Sequence, residues 1–69
     1  MAWVAVDGMG VEWIFASMPY RNNGYRDWEP PYKDDYVLID VIELPKNTIE
    51  KIIGRKLTWD DEPVELKEE

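Results

Sequence analysis

Sixty-nine residues with no cysteine, no histidine and a formal charge of −7 exclude more than they assign. A chain this short forms one domain (1–69) and buries only about 60% of the surface it exposes unfolded, which leaves little room for a substrate cavity with a catalytic shell. Disulfides are impossible, ordinary zinc sites lose both preferred ligands, and the acidity argues against nucleic acid or an anionic membrane as a direct partner.

In chain order, residues 2–6 and 11–17 are rich in β-branched and aromatic side chains and flank Asp7-Gly8-Met9-Gly10. Residues tolerant of positive φ between two such runs predict an antiparallel hairpin. The period of two then puts Val11, Trp13 and Phe15 on one face and Glu12, Ile14 and Ala16 on the other, with the Glu12 face expected to be the wetter. Pro19 ends the second strand. Tyr20 to Asp35 reads either as a long loop or, around Tyr25 to Trp28, as a second hairpin; Asn22-Asn23-Gly24 is turn material, and Pro30-Pro31 cannot donate to a sheet.

Tyr36 to Glu43 is the strongest strand signal, apolar on both faces except at Asp40 and Glu43, and it predicts a central strand covered on both sides. Asn47-Thr48-Ile49-Glu50 follows as a capping box, with Asn47 as the cap and Glu50 three residues on. Ile49, Ile52 and Ile53 share a helical face, and Gly54 stands where a helix of two turns would stop. That helix should dock its isoleucines on the sheet. Lys56 to Trp59 reads as extended, Asp60 to Pro63 as a turn, and Val64 to Lys67 as a half-exposed final strand, with Glu68 and Glu69 frayed. Trp3, Trp13 and Trp59 are expected in the core, where each indole can bury about 150–250 Å². The fold class is α+β: a small antiparallel sheet with one short helix packed on it.

Chemistry-bearing patterns are sparse. Ser17 and Thr58 lie outside any Ser-x-x-Lys or Gly-x-Ser-x-Gly setting, and Gly8 and Gly10 lack the Gly-Lys-Ser end of a phosphate loop. Asp34-Asp35 and Asp60-Asp61-Glu62 lack the spacing of a calcium loop. A non-enzymatic protein without cofactor or bound metal is expected. Arg21, Arg26 and Lys33 interleave with Tyr20, Tyr25, Trp28 and Tyr32 in the manner of a nucleic-acid stacking platform, but Asp27, Glu29, Asp34 and Asp35 cancel their field.

The charge is distributed unevenly. Asp60, Asp61, Glu62, Glu65, Glu68 and Glu69 stand against Lys67 alone in the last ten residues, a net −5 of the total −7. Carboxylates fixed by a fold can occupy a basic surface on another protein, because complementary potentials steer association. Trp59, Pro63, Val64 and Leu66 are the anchors that could fix them. Asp60, Asp61, Glu62 and Glu65 are therefore candidate partner-binding residues, with Trp28 and Tyr32 as hydrophobic anchors. Self-association through exposed aromatics into a homo-oligomer, and small-ligand or metal binding by the loop acids, are the alternatives.

Two stretches carry a resemblance. Trp3-Val4-Ala5-Val6-Asp7, Gly10-Val11-Glu12-Trp13-Ile14-Phe15 and Pro19-Tyr20-Arg21 resemble the opening of small uncharacterised acidic proteins encoded in bacteriophage and prophage genomes. Ile42 to Pro45, Thr48 to Gly54 and Leu57 to Leu66 resemble their ending; Asn22 to Asp35 matches no pattern. The resemblance implies a phage accessory protein that binds or inhibits a host protein in the bacterial cytoplasm, or else a packaging component, and it assigns no activity. The N-terminus has no basic segment followed by an apolar run, which fits a cytoplasmic protein.

Overall fold

The computed structural model describes residues 2–31 and 41–67. Expectations for Tyr32, Lys33, Asp34-Asp35, the first five residues of the Tyr36–Glu43 run, and Glu68-Glu69 lie outside the described residues. Among the described residues six strands and one helix follow in order: β1 (Trp3–Val6), β2 (Glu12–Phe15), β3 (Tyr20–Asn22), β4 (Asp27–Glu29), β5 (Val41–Leu44), α1 (Thr48–Ile53) and β6 (Val64–Glu65). Four strands form one antiparallel sheet in the order β5-β2-β1-β6, and β3 pairs with β4 in a second. The α+β class with one short helix is what the sequence predicts. Among the described residues no helix is long and apolar enough to cross a membrane.

The first hairpin forms as expected, with Val6 opposite Glu12 and Trp3 opposite Phe15. Its turn is organised by Asp7, which is buried. One carboxylate oxygen accepts the Met9 and Val11 amides at 2.9 and 3.0 Å, and the other accepts the Trp13 indole N–H at 3.0 Å. Three donors meet the charge, so its burial is compensated.

Both faces of the four-stranded sheet are covered. On one, Val4 and Val6 join Ile49 and Leu57, with Ile14, Leu44, Ile53, Val64 and Leu66 packed around them. On the other, Ala5, Phe15 and Trp28 form the centre, flanked by Trp3, Trp13, Val41 and Trp59. The alternation of β2 is thus read correctly, but the Glu12 face is not the wet one. It carries the helix.

Glu12 explains why that face tolerates a carboxylate. Its two oxygens accept the Asn47 and Ile49 amides at 2.6 and 2.8 Å, so a strand residue caps α1 from across the sheet. Asn47 itself sits in the left-handed region (φ 72°) and makes no side-chain cap, which overturns the Asn47/Glu50 capping box. The Gly54 stop holds: its φ is 82° and its amide reaches the Glu50 carbonyl at 2.9 Å. A helix of six residues cannot persist alone. Ile49 is its buried anchor and Ile53 packs beside it, while Ile52 is about half exposed rather than docked.

Two further expectations change. The residues of the Tyr36–Glu43 run that are described, as part of β5, lie at the end of the strand order rather than its centre, and Ile42 and Glu43 are exposed there. Central places go to β1 and β2, because β5 pairs on the outer side of β2 and β6 on the outer side of β1. Of the two readings of Tyr20 to Asp35, a second hairpin is found, with Asn22 accepting the Gly24 and Tyr25 amides at 2.9 and 3.1 Å to close its turn. It lies across the sheet: Trp28 is buried and its indole N–H donates to the Val6 carbonyl at 2.8 Å. The turns also meet, through Gly8 N–H to the Arg26 carbonyl at 2.7 Å. A Cβ at Gly8 would lie 2.7 Å from that of Arg26, so only glycine fits.

Replacing Glu12 by Ala should remove the helix cap and lower stability by about 1–2 kcal/mol. Urea unfolding of the purified variant measures this, and Glu50→Ala should cost clearly less, since the Glu50 side chain does not cap.

Candidate functional site

The acidic end is built from a turn at Thr58 to Asp61, followed by Pro63, which is buried, and β6. Asp61 faces inward. Its Oδ2 accepts the Thr58 amide at 2.8 Å and the Thr58 hydroxyl at 3.2 Å, while the Asp61 amide returns to the Thr58 carbonyl at 3.0 Å. Asp60 is exposed, and its amide donates to the Thr58 hydroxyl at 3.3 Å. β6 then pairs with β1, setting Val64 beside Val4 in the helix-side core and Glu65 beside Trp3 on the opposite face.

Arg21, on β3, holds this turn from outside its own sequence neighbourhood. Its guanidinium carbon lies 4.5 Å from the ring centres of both Trp28 and Trp59, which meet each other edge-on at 5.5 Å. Its nitrogens donate to the Trp59 carbonyl at 2.6 Å and the Asp61 carbonyl at 3.2 Å. An ion pair to Glu62 at 3.5 Å completes the set.

Magnitudes rank these contacts. The Glu62 carboxylate is 81% exposed, so its ion pair is worth at most about 1 kcal/mol. Charged donors on carbonyls contribute about 1.5–3 kcal/mol each, and a partly desolvated cation over an indole up to about 2. Arg21 therefore fixes the turn through backbone and rings, and leaves the Glu62 carboxylate largely available to solvent.

The candidate residues separate accordingly. Asp60 and Glu62 project outward from a fixed backbone; Glu65 is half-buried; Asp61 is spent on the turn. Trp28, expected as an exposed anchor, belongs to the core, because its ring fills the sheet face and its N–H is satisfied inside. Tyr32 lies outside the described residues. The sequence reading weighed Arg21 only within a stacking platform and Thr58 only as a nucleophile, not as holders of this turn, although Thr58-x-x-Asp61 is a recognisable turn-closing spacing. Arg21 had no local signal, since its partners lie about forty positions away. Among the described residues no group of three or more carboxylates is placed to hold a metal ion.

A second set of acids surrounds the other hairpin. Glu29 accepts the Tyr20 hydroxyl at 2.9 Å and the Asn22 side-chain Nδ2–H at 2.6 Å. That bond, more than burial or the nearby charges, raises the Tyr20 pKa, because ionising the phenol would discard a donor beside a carboxylate. Asp27 has one carboxylate oxygen shut off from solvent without a hydrogen-bond partner. Desolvation first, then Glu29 and Asp7, raises its pKa above the ordinary 3.8.

Substituting Arg21 by Ala should cost about 2–4 kcal/mol in urea unfolding, and Arg21→Lys should recover less than half, because a compact ammonium cannot lie flat against two indoles while reaching two carbonyls. Glu62→Gln should move stability by no more than about 0.5 kcal/mol. Asp27 gives a pH test. The folded protein holds its proton more tightly than the unfolded chain, so stability falls as pH rises from the unfolded value through the folded one, and ionised Asp27 is a cost at neutral pH. Asp27→Asn should raise the urea midpoint at pH 7, with the gain disappearing as the pH is lowered below the unfolded value of 3.8.

No protein-family model, curated protein or solved structure matches this chain.

Proposed function

We propose that this protein is a small non-enzymatic binding module that presents Asp60 and Glu62, with the half-buried Glu65 on the strand that follows, to a basic surface on another protein. The observation that carries the reading is the placement of Arg21 against the rings of both Trp28 and Trp59, bonded to the carbonyls on either side of Asp60. Carboxylates on a fixed backbone lose less conformational freedom on binding than those on a loose tail, so more of their electrostatic attraction appears as affinity. The resemblance of the two ends of the chain to phage-encoded proteins supports a host protein in the bacterial cytoplasm as that partner.

Self-association is the second reading, motivated by Tyr25, Ile42 and Ile52, which stay substantially exposed. These are scattered over the β3–β4 turn, β5 and α1, and the net charge of −7 opposes bringing copies together. The acidic turn is the better-supported surface.

The test is affinity capture from bacterial lysate by wild-type protein and by the Asp60→Lys/Glu62→Lys variant, which spares Asp61 and so keeps the turn. A specific partner should be retained by the wild type at low salt, released as salt rises, and lost from the variant while its melting temperature stays close to wild type. Retention of the same partner by the folded variant would refute the proposal.

A further inference from the structure

The β3–β4 turn holds a glycine that its backbone does not require. The left-handed residue of this turn is Arg26 (φ 56°), whereas Gly24 lies outside that region. A Cβ built on Gly24 would meet only the Asn22 Oδ1, at 3.3 Å, so an alanine fits there once that oxygen gives slightly. What the glycine leaves is an unscreened peptide nitrogen directly after Asn23. Asn23 and Gly24 are both exposed, and the Asn23 carboxamide makes no hydrogen bond among the described residues.

Other positions with the same latent chemistry are closed off. Asn22 is half-buried and both ends of its carboxamide are engaged, Nδ2 with Glu29 at 2.6 Å and Oδ1 with the Gly24 and Tyr25 amides at 2.9 and 3.1 Å. Asn47, the remaining asparagine of the three, precedes Thr48, whose branched side chain crowds the peptide nitrogen and whose amide is held by the Pro45 carbonyl at 3.1 Å. Asp7-Gly8 has the same spacing, but the Asp7 carboxylate is buried and accepts three N–H donors, and the Gly8 amide is bound to the Arg26 carbonyl.

We infer that Asn23 is a site of spontaneous deamidation, with Gly24 as its nucleophile and Asn22 as the residue that sets its rate. The Gly24 nitrogen gives up its proton to solvent and bonds to the Asn23 Cγ; the Cγ–Nδ2 bond breaks and ammonia leaves, closing a succinimide. Water then opens the ring at either carbonyl, giving aspartate or isoaspartate. The sum is one water consumed and one ammonia released, with nothing oxidised or reduced. Asn22 restrains the first step, because its Oδ1 holds the Gly24 N–H in the turn while attack needs that proton gone and the Asn23 backbone turned to bring nitrogen to Cγ. Glu29 fixes which end of the Asn22 amide faces the turn. The isoaspartyl product inserts a methylene into the main chain beside the Asn22–Asp27 pairing, and so acts on the strand that carries Arg21.

Incubation of the full chain at mildly alkaline pH, followed by tryptic digestion and mass spectrometry of the fragment from Asn22 to Arg26, measures the reaction. Folded wild type should gain the amide-to-acid mass at Asn23 and not at Asn22 or Asn47, as a mixture of aspartate and isoaspartate. Gly24→Ala, whose methyl screens the nitrogen, should slow the conversion about tenfold, and Asn22→Ala should speed it by a similar factor, toward the rate of wild type unfolded in urea. The comparison in urea needs no variant to fold. No conversion at Asn23 of the folded chain over the time that converts the unfolded chain completely, a rate indifferent to Gly24→Ala, or a folded rate equal to that in urea would each overturn the assignment.

Discussion

A single guanidinium ties the two halves of this fold together. Arg21 lies against the indoles of both Trp28 and Trp59 and donates to two carbonyls of the acidic turn, joining a hairpin near residue 25 to a segment near residue 60. Neither half could place itself alone. The β3–β4 pair is a two-stranded ribbon, which is marginal in water, and the Thr58–Asp61 turn has only its own short-range bonds. Trp28 fills the sheet face beneath, so the cation is stacked on a ring that is itself immobile. Stacking, carbonyl bonds and ring packing reinforce each other at one point.

That arrangement answers the problem of size. With no disulfide to supplement its core, the protein covers its four-stranded sheet on both faces, one with a six-residue helix and the other with a hairpin carrying Trp28. Each cover is too small to be stable by itself, and each is fixed by a charged side chain reaching from a distant element. Glu12 on β2 caps α1, Arg21 on β3 clamps the turn after it, and Asp7 closes the hairpin that both depend on. In a body where aromatic area does the burying, these three charged residues decide where the area goes. The consequence for function is that acids near the C-terminus become fixed features of a surface.

Local signals in the sequence were legible and remote ones were not. The Asp7–Gly10 hairpin and the helix stop at Gly54 rest on neighbours within a few residues, and both are found; the acidic turn closes at Thr58 to Asp61 rather than Asp60 to Pro63, and the final strand pairs only at Val64–Glu65 rather than through Lys67. The cap of α1 was misassigned because Asn47 and Glu50 satisfy the short-range pattern, whereas the actual acceptor, Glu12, lies 35 residues upstream of Asn47. The same reasoning called the Glu12 face wet, since a lone carboxylate on an alternating strand normally marks solvent. Trp28 was misplaced on a surface loop because nothing near it reveals that Val6 offers a carbonyl to its indole. Within the site, the acids were legible from charge, but the division of labour was not: Asp61 turns inward to Thr58 while Asp60 and Glu62 turn outward, and only the three-dimensional turn distinguishes them.

Backbone mobility of the free protein is the most direct measure of whether Arg21 makes the acidic turn a fixed surface. In ¹⁵N relaxation, rigid backbone gives order parameters of about 0.85 and flexible backbone falls below about 0.6. Thr58 to Glu62 should match the strands in the wild type and drop toward the flexible range in a folded Arg21→Ala variant. A turn already flexible in the wild type, or one equally rigid without Arg21, would contradict the clamp.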